Sequence, residues 1–202
     1  MWSDGKVHDL GTLGGTFSNP TGLTDDGHVS GVATTRNDET LHAVLWRNRE
    51  IKDLETVPGD SCSWAWGLNS KDHVVGISLP APCDFSVAHD FLWQGASMVD
   101  LNKLIPSDSG LTLVYGEAIN EKGEIGGIGV RPGISPGDVE VLGHAFVLIP
   151  QAERCECQSE RNQSGTLRDA KTIASETTKA EISGLVRRFR DLQLRKYRTS
   201  TK

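Results

Sequence analysis

The feature that most constrains this chain is internal self-similarity, because a sequence that repeats at a fixed period folds as stacked copies of one small unit. His42-Ala43-Val44-Leu45-Trp46 recurs as His89-Asp90-Phe91-Leu92-Trp93 and again as His144-Ala145-Phe146-Val147-Leu148. Asp-Leu stands seven residues after each tryptophan of the series: Asp9-Leu10 after Trp2, Asp53-Leu54 after Trp46 and Asp100-Leu101 after Trp93. A small-apolar-polar element follows, as Gly22-Leu23-Thr24, Gly67-Leu68-Asn69 and Ala118-Ile119-Asn120. After a polar turn come apolar runs carrying Gly31, Gly76 and Gly127. The spacings are 44 and 47 at the aspartate, and 45 and 51 at the glycine.

Each unit reads as strands. Leu41 to Arg47 is apolar and β-rich and ends in the polar turn Arg47-Asn48-Arg49-Glu50; Ile51 to Glu55, Trp64 to Leu68 and His73 to Leu79 follow as three more. The turns Thr24-Asp25-Asp26-Gly27, Asn69-Ser70-Lys71-Asp72 and Asn120-Glu121-Lys122-Gly123 place Gly or Asp fourth, where a left-handed backbone is tolerated. Gly and Pro recur too often for helices. Four short strands per ~45 residues is the pattern of a propeller blade. The expected fold is therefore all-β: a propeller-like array of about three four-stranded units in residues 1–150, with a C-terminal α-helical or disordered tail. The units are drawn as 1–35 completed by 142–149, then 41–79, then 88–130. Three units fall short of the roughly four blades a propeller needs. The expectation is a truncated or partial array, with two copies associating or an open ring with bare sheet edges as the alternatives.

The run Asp9-Leu10-Gly11-Thr12-Leu13-Gly14-Gly15 and the His-Ala-Phe-like strands, intact at His144-Ala145-Phe146, resemble the bacterial extracellular HAF-repeat family over residues 1–149. The resemblance implies a secreted or surface-exposed all-β repeat protein and supplies no catalytic residues. It places the protein outside the cell, although no signal peptide is visible at Met1-Trp2-Ser3-Asp4. Cys62 and Cys83 lie in loops of one unit. An oxidising compartment, as the resemblance implies, would let them bridge; a reducing one leaves two free thiols.

The candidate site residues read mostly as structure. His42, His89 and His144 recur in phase, so a whole unit separates them; a role bonding a turn or a neighbouring strand outweighs a zinc set. Trp2, Trp46 and Trp93 read as packing between units. Asp9, Asp53 and Asp100 read as turn residues, against the reading that they ring an axis as glycosidase carboxylates. Trp64 and Trp66 have no counterpart in the other units, and alternation puts both on one strand face. They are the candidate ligand platform, a pair of indoles for a sugar ring, weighed against core packing. Asp25-Asp26-Gly27 lacks the oxygen ligands calcium needs. No metal or cofactor is expected.

Charge separates the chain near Pro150. Residues 1–150 carry 9 Lys and Arg against 20 Asp and Glu, and residues 151–202 carry 12 against 7, so a net −11 and a net +5 make the overall −6. Residues 151–175 read as a disordered linker, with an inert Cys155 and Cys157 pair. Residues 176–198 read as a basic amphipathic helix on Ile182, Leu185, Val186, Phe189 and Leu192 or Leu194. No run reaches the ~18 apolar residues of a membrane helix, and nucleic acid is not expected as a partner. Two functions stay open: a non-catalytic binding or scaffold module, with self-association through exposed sheet edges, and a carbohydrate-active or carbohydrate-binding protein.

Overall fold

The computed structural model describes residues 2–3 and 5–150; the expected linker and basic helix of 151–175 and 176–198 lie outside the described residues. The described residues are all-β apart from short 3-10 turns and one helical turn. A small hairpin joins β1 (Trp2–Ser3) and β2 (Lys6–Val7). A first antiparallel sheet runs β3 (Gly14–Leu23), β4 (Val29–Thr35), β5 (Leu41–Arg47), β6 (Glu50–Asp53). A second runs β7 (Cys62–Leu68), β8 (Val74–Leu79), β9 (His89–Trp93), β10 (Met98–Asp100). A third has three strands, β11 (Thr112–Ile119), β12 (Ile125–Val130) and β13 (His144–Leu148), with the helical turn α1 (Val139–Leu142) before the last.

One register recurs in all three sheets. Gly31, Gly76 and Gly127 sit opposite Val44, Phe91 and Phe146 on the following strand. The preceding strand carries a bulge beside each glycine, leaving Thr21, Trp66 and Glu117 as the extra residues. The glycines are needed there for space. A methyl on Gly76 would run into the Trp64 carbonyl oxygen, and one on Gly127 into the Tyr115 carbonyl oxygen and the Phe146 ring. The tight turns behave as their sequences imply: Gly27, Asp72 and Gly123 have φ of +86°, +60° and +80°. Thr24, Asn69 and Asn120 close them, each accepting on its side-chain oxygen from the N–H four residues on, at 3.1, 3.0 and 3.0 Å.

The sheets are cut at a different phase from the units drawn on the sequence. They span 14–53, 62–100 and 112–148, and the third has three strands where four were expected. Residues 142–149 do not complete the first unit. His144–Leu148 pairs with Ile125–Val130, its neighbour in sequence, as short connections favour.

The core lies in the seams between sheets. Between the first and second, Ala43 and Leu45 meet Ala65, Val74, Phe91, Trp93 and Met98. Leu54 and Val57, from the connection between the sheets, plug that seam. Leu101 does the same between the second and third sheets, beside Val75, Leu113 and Ile125. Trp46 packs on the opposite face of the first sheet with Val29, Ala33 and Val44, covered by Leu10 and Leu13. Trp93 thus packs in the seam between the first and second sheets, and Trp46 on the outer face of the first.

Candidate functional site

Asp9, Asp53 and Asp100 do one job three times. Each carboxylate accepts from the backbone N–H two residues on, that of Gly11, Glu55 and Asn102, at 2.9, 2.8 and 2.9 Å. These are Asx turns, which direct the chain out of one sheet toward the next. Burial works against the Asp53 carboxylate, but bonds from His42 and the Glu55 N–H outweigh it and hold its pKa below the usual range.

The histidines do not converge. His42 Nδ1 lies 2.9 Å from Asp53 Oδ2, whereas His89 Nδ1 lies 2.9 Å from Asp60 Oδ2 rather than from Asp100. His144 stands on the exposed strand β13. Among the described residues, no group of three His, Cys, Asp or Glu is placed to hold a metal ion.

Trp64 and Trp66 are packed into the seam between the second and third sheets. Trp66 meets the Tyr115 ring edge-on at 5.0 Å, and both indoles join a cluster with Ile77, Val114 and Val130. The bulge explains Trp66: the extra residue of each bulge is aimed at the next sheet. In the first sheet, Thr21 Oγ1 likewise donates to the Ala65 carbonyl oxygen across the seam at 2.8 Å. In the third sheet the corresponding Glu117 is exposed. Cys62 and Cys83 form a disulfide at the end of the same cluster, with Cα atoms 5.6 Å apart.

A cleft of about 700 Å3 opens beside Lys52, Asp72, His73 and Trp93. Arg47, Lys52 and Asp72 are engaged within the protein. Arg47 Nη1 lies 2.7 Å from Asp72 Oδ2, and the other oxygen of Asp72 lies 2.6 Å from His28 Nδ1. Lys52 Nζ sits 4.6 Å from the centre of the Trp93 ring and donates to the Gly95 carbonyl oxygen at 3.3 Å. This is a cross-braced edge between two sheets.

Asp90 is the outlier of the core. It stands where the in-phase strands have Ala43 and Ala145, and it is fully buried with neither carboxylate oxygen hydrogen-bonded. Burial pushes its pKa well above the usual range. The N–H groups of Gly116 and Phe91 lean toward it without bonding geometry and offset this in part, while the charge of Asp100 adds to it. Room for the acid comes from Gly116, in phase with Ala65: a methyl on Gly116 would strike Asp90 Oδ1.

An apolar surface is left open on the third sheet. Val32, Ala43 and Leu45 of the first sheet are buried on the side of the second; of their in-phase residues in the second sheet, Ile77 and Asp90 are buried on the side of the third and Leu92 is half-buried there. The in-phase residues of the third sheet do not share this burial: Ile128 is half-buried, Ala145 is exposed and Val147 is 67% exposed. Among the described residues, β13 has a strand on one side only. Reading the sequence singled out Trp64 and Trp66 and passed over Ala145 and Val147. The signal for the latter was their alignment with Ala43 and Leu45.

No family model, curated protein or solved structure matches the chain.

Proposed function

We propose that this chain is a non-catalytic module of an extracellular or surface protein, a propeller-like array of HAF-type repeats that presents a sheet edge and face to a polypeptide partner. The observation that carries the reading is the third sheet. Its apolar Ala145 and Val147 occupy positions that the other two sheets bury or half-bury against a neighbouring sheet, and among the described residues β13 offers unpaired backbone groups beside them. An edge of this kind recruits another strand by main-chain hydrogen bonds. The in-phase aspartates support the non-catalytic part, since all three are engaged in turns. The disulfide supports an oxidising location. The carbohydrate reading needs open indoles, and Trp64 and Trp66 are half-buried and packed against a seam.

Selection of short displayed peptides on the immobilised full chain tests the binding role. Extended peptides with alternating apolar residues are expected to be retained, and Val147→Glu is expected to release them. Peptides held equally well by Val147→Glu would defeat the proposal. For the location, mapping thiols in protein from its native source decides: a Cys62–Cys83 bridge is expected, and free thiols at both positions would count against it.

A further inference from the structure

The two ends of the described fold are half-built in complementary ways. β1 and β2 form a hairpin in the register of β5–β6 and β9–β10: Trp2 faces Val7 as Trp46 faces Ile51 and Trp93 faces Met98. By this register β1 and β2 correspond to the third and fourth strands of a sheet. Among the described residues, the third sheet has the first three strands and no fourth. Exposure agrees at both ends. Met98 is buried and Ile51 half-buried, but Val7 is 85% exposed. Leu54, Val57 and Leu101 are buried between two sheets, whereas Leu10 and Leu13 are half-buried against one.

We infer that the occupant of β13 is β2 of a second copy of this chain, added as the missing fourth strand. This rests on the binding role proposed above and names its partner. The register is set by the sheets already complete. Val44 faces Asp53 and Phe91 faces Asp100, so Phe146 of one copy faces Asp9 of the other, Val147 faces His8 and Leu148 faces Val7. Docking exchanges the two-residue pairing of β1 with β2 for pairing with β13. It brings Leu10 and Leu13 of the incoming copy against the bare Ala145–Val147 face, as Leu54 and Val57 lie in the first seam. The contact is head-to-tail: each copy donates β2 and receives at β13.

Sedimentation of the full chain tests this, with far-UV circular dichroism confirming that each variant stays folded. The wild type is expected to self-associate. Val7→Asp spoils the donor and Val147→Glu the acceptor, so each alone is expected to lose the association. An equal mixture is expected to regain a dimer, since Val7→Asp keeps β13 and Val147→Glu keeps β2. A monomeric wild type, association untouched by both substitutions, or a mixture that stays monomeric would each overturn the inference. A synthetic peptide of residues 5–13 separates the two levels. If the wild type is monomeric yet binds this peptide through β13, the second copy is wrong and the binding edge stands. If it is monomeric and binds no strand, both fall.

Discussion

Replacing Asp90 with Asn isolates the effect of a buried carboxyl on the stability of this fold. Asp90 is fully buried between the second and third sheets with both oxygens unbonded, so the fold accommodates the neutral acid and resists the anion. Its pKa is raised by burial and, secondarily, by Asp100. The sign follows from linkage. In the unfolded chain the group ionises near pH 4, whereas in the folded chain it holds its proton to higher pH. Its contribution is therefore fully present below about pH 4 and is lost as pH rises through the folded pKa, at up to about 1.4 kcal/mol per pH unit. Keeping an acid of free pKa about 3.9 neutral at pH 7 costs up to about 4 kcal/mol, which is the ceiling of the effect at that pH. Asn leaves a buried amide whose cost does not vary with pH. Urea unfolding of both proteins between pH 4 and pH 8, compared as a difference, cancels every other titrating group. The gap is expected to widen with pH in favour of Asp90→Asn. Parallel stability curves would refute the reasoning, because they would mean that Asp90 ionises in the fold much as it does in water.

Four further outcomes are expected. Gly116→Ala alone should cost about 1–3 kcal/mol by crowding Asp90, and in an Asp90→Ala background it should be neutral or stabilising; additive effects in a double-mutant cycle would contradict the compensation. Arg49→Gly should stabilise by about 1 kcal/mol in thermal unfolding, because Asn48 and Arg49 both hold positive φ in the turn between β5 and β6. Gly76→Ala should destabilise by about 3 kcal/mol, and an unchanged urea midpoint would deny the close approach of the Trp64 carbonyl. Reducing the Cys62–Cys83 bridge, whose partners are 21 residues apart, should cost about 3 kcal/mol by freeing the unfolded chain, read as a lower denaturation midpoint with reductant.

The turns and strand cores were legible because their chemistry is local. Asn69 and Asn120 close their turns through atoms within four residues, and the left-handed sites at Gly27, Asp72 and Gly123 follow from residue type. The phase was not legible, because a periodic sequence has the same spacings wherever it is cut. What fixes the cut is what the connections carry. Residues 54–61 and 101–111 bring Leu54 and Leu101 into the seams, whereas the link 80–88 inside the second sheet is just as long and joins two strands of one sheet. Trp64 and Trp66 alternate onto one face, but which face is covered depends on Tyr115, far along the chain. Asp60 as the partner of His89 was equally hidden, since phase pointed to Asp100.

The side-chain bonds that stitch the sheets together have a consequence for how such a chain is made and how it changes. Thr21 reaches Ala65 across 44 positions of sequence, and Asn69 reaches Asn120 across 51. Each span is about one unit, so each of these bonds joins consecutive sheets. As the chain leaves the ribosome, each new sheet finds the surface it needs already formed, and none has to wait for the far end of the polypeptide. The same nearest-neighbour arrangement makes one unit the natural step of evolutionary change. Duplicating a stretch of that length adds both a sheet and the bonds that hold it, whereas losing one strand leaves an edge open to other chains.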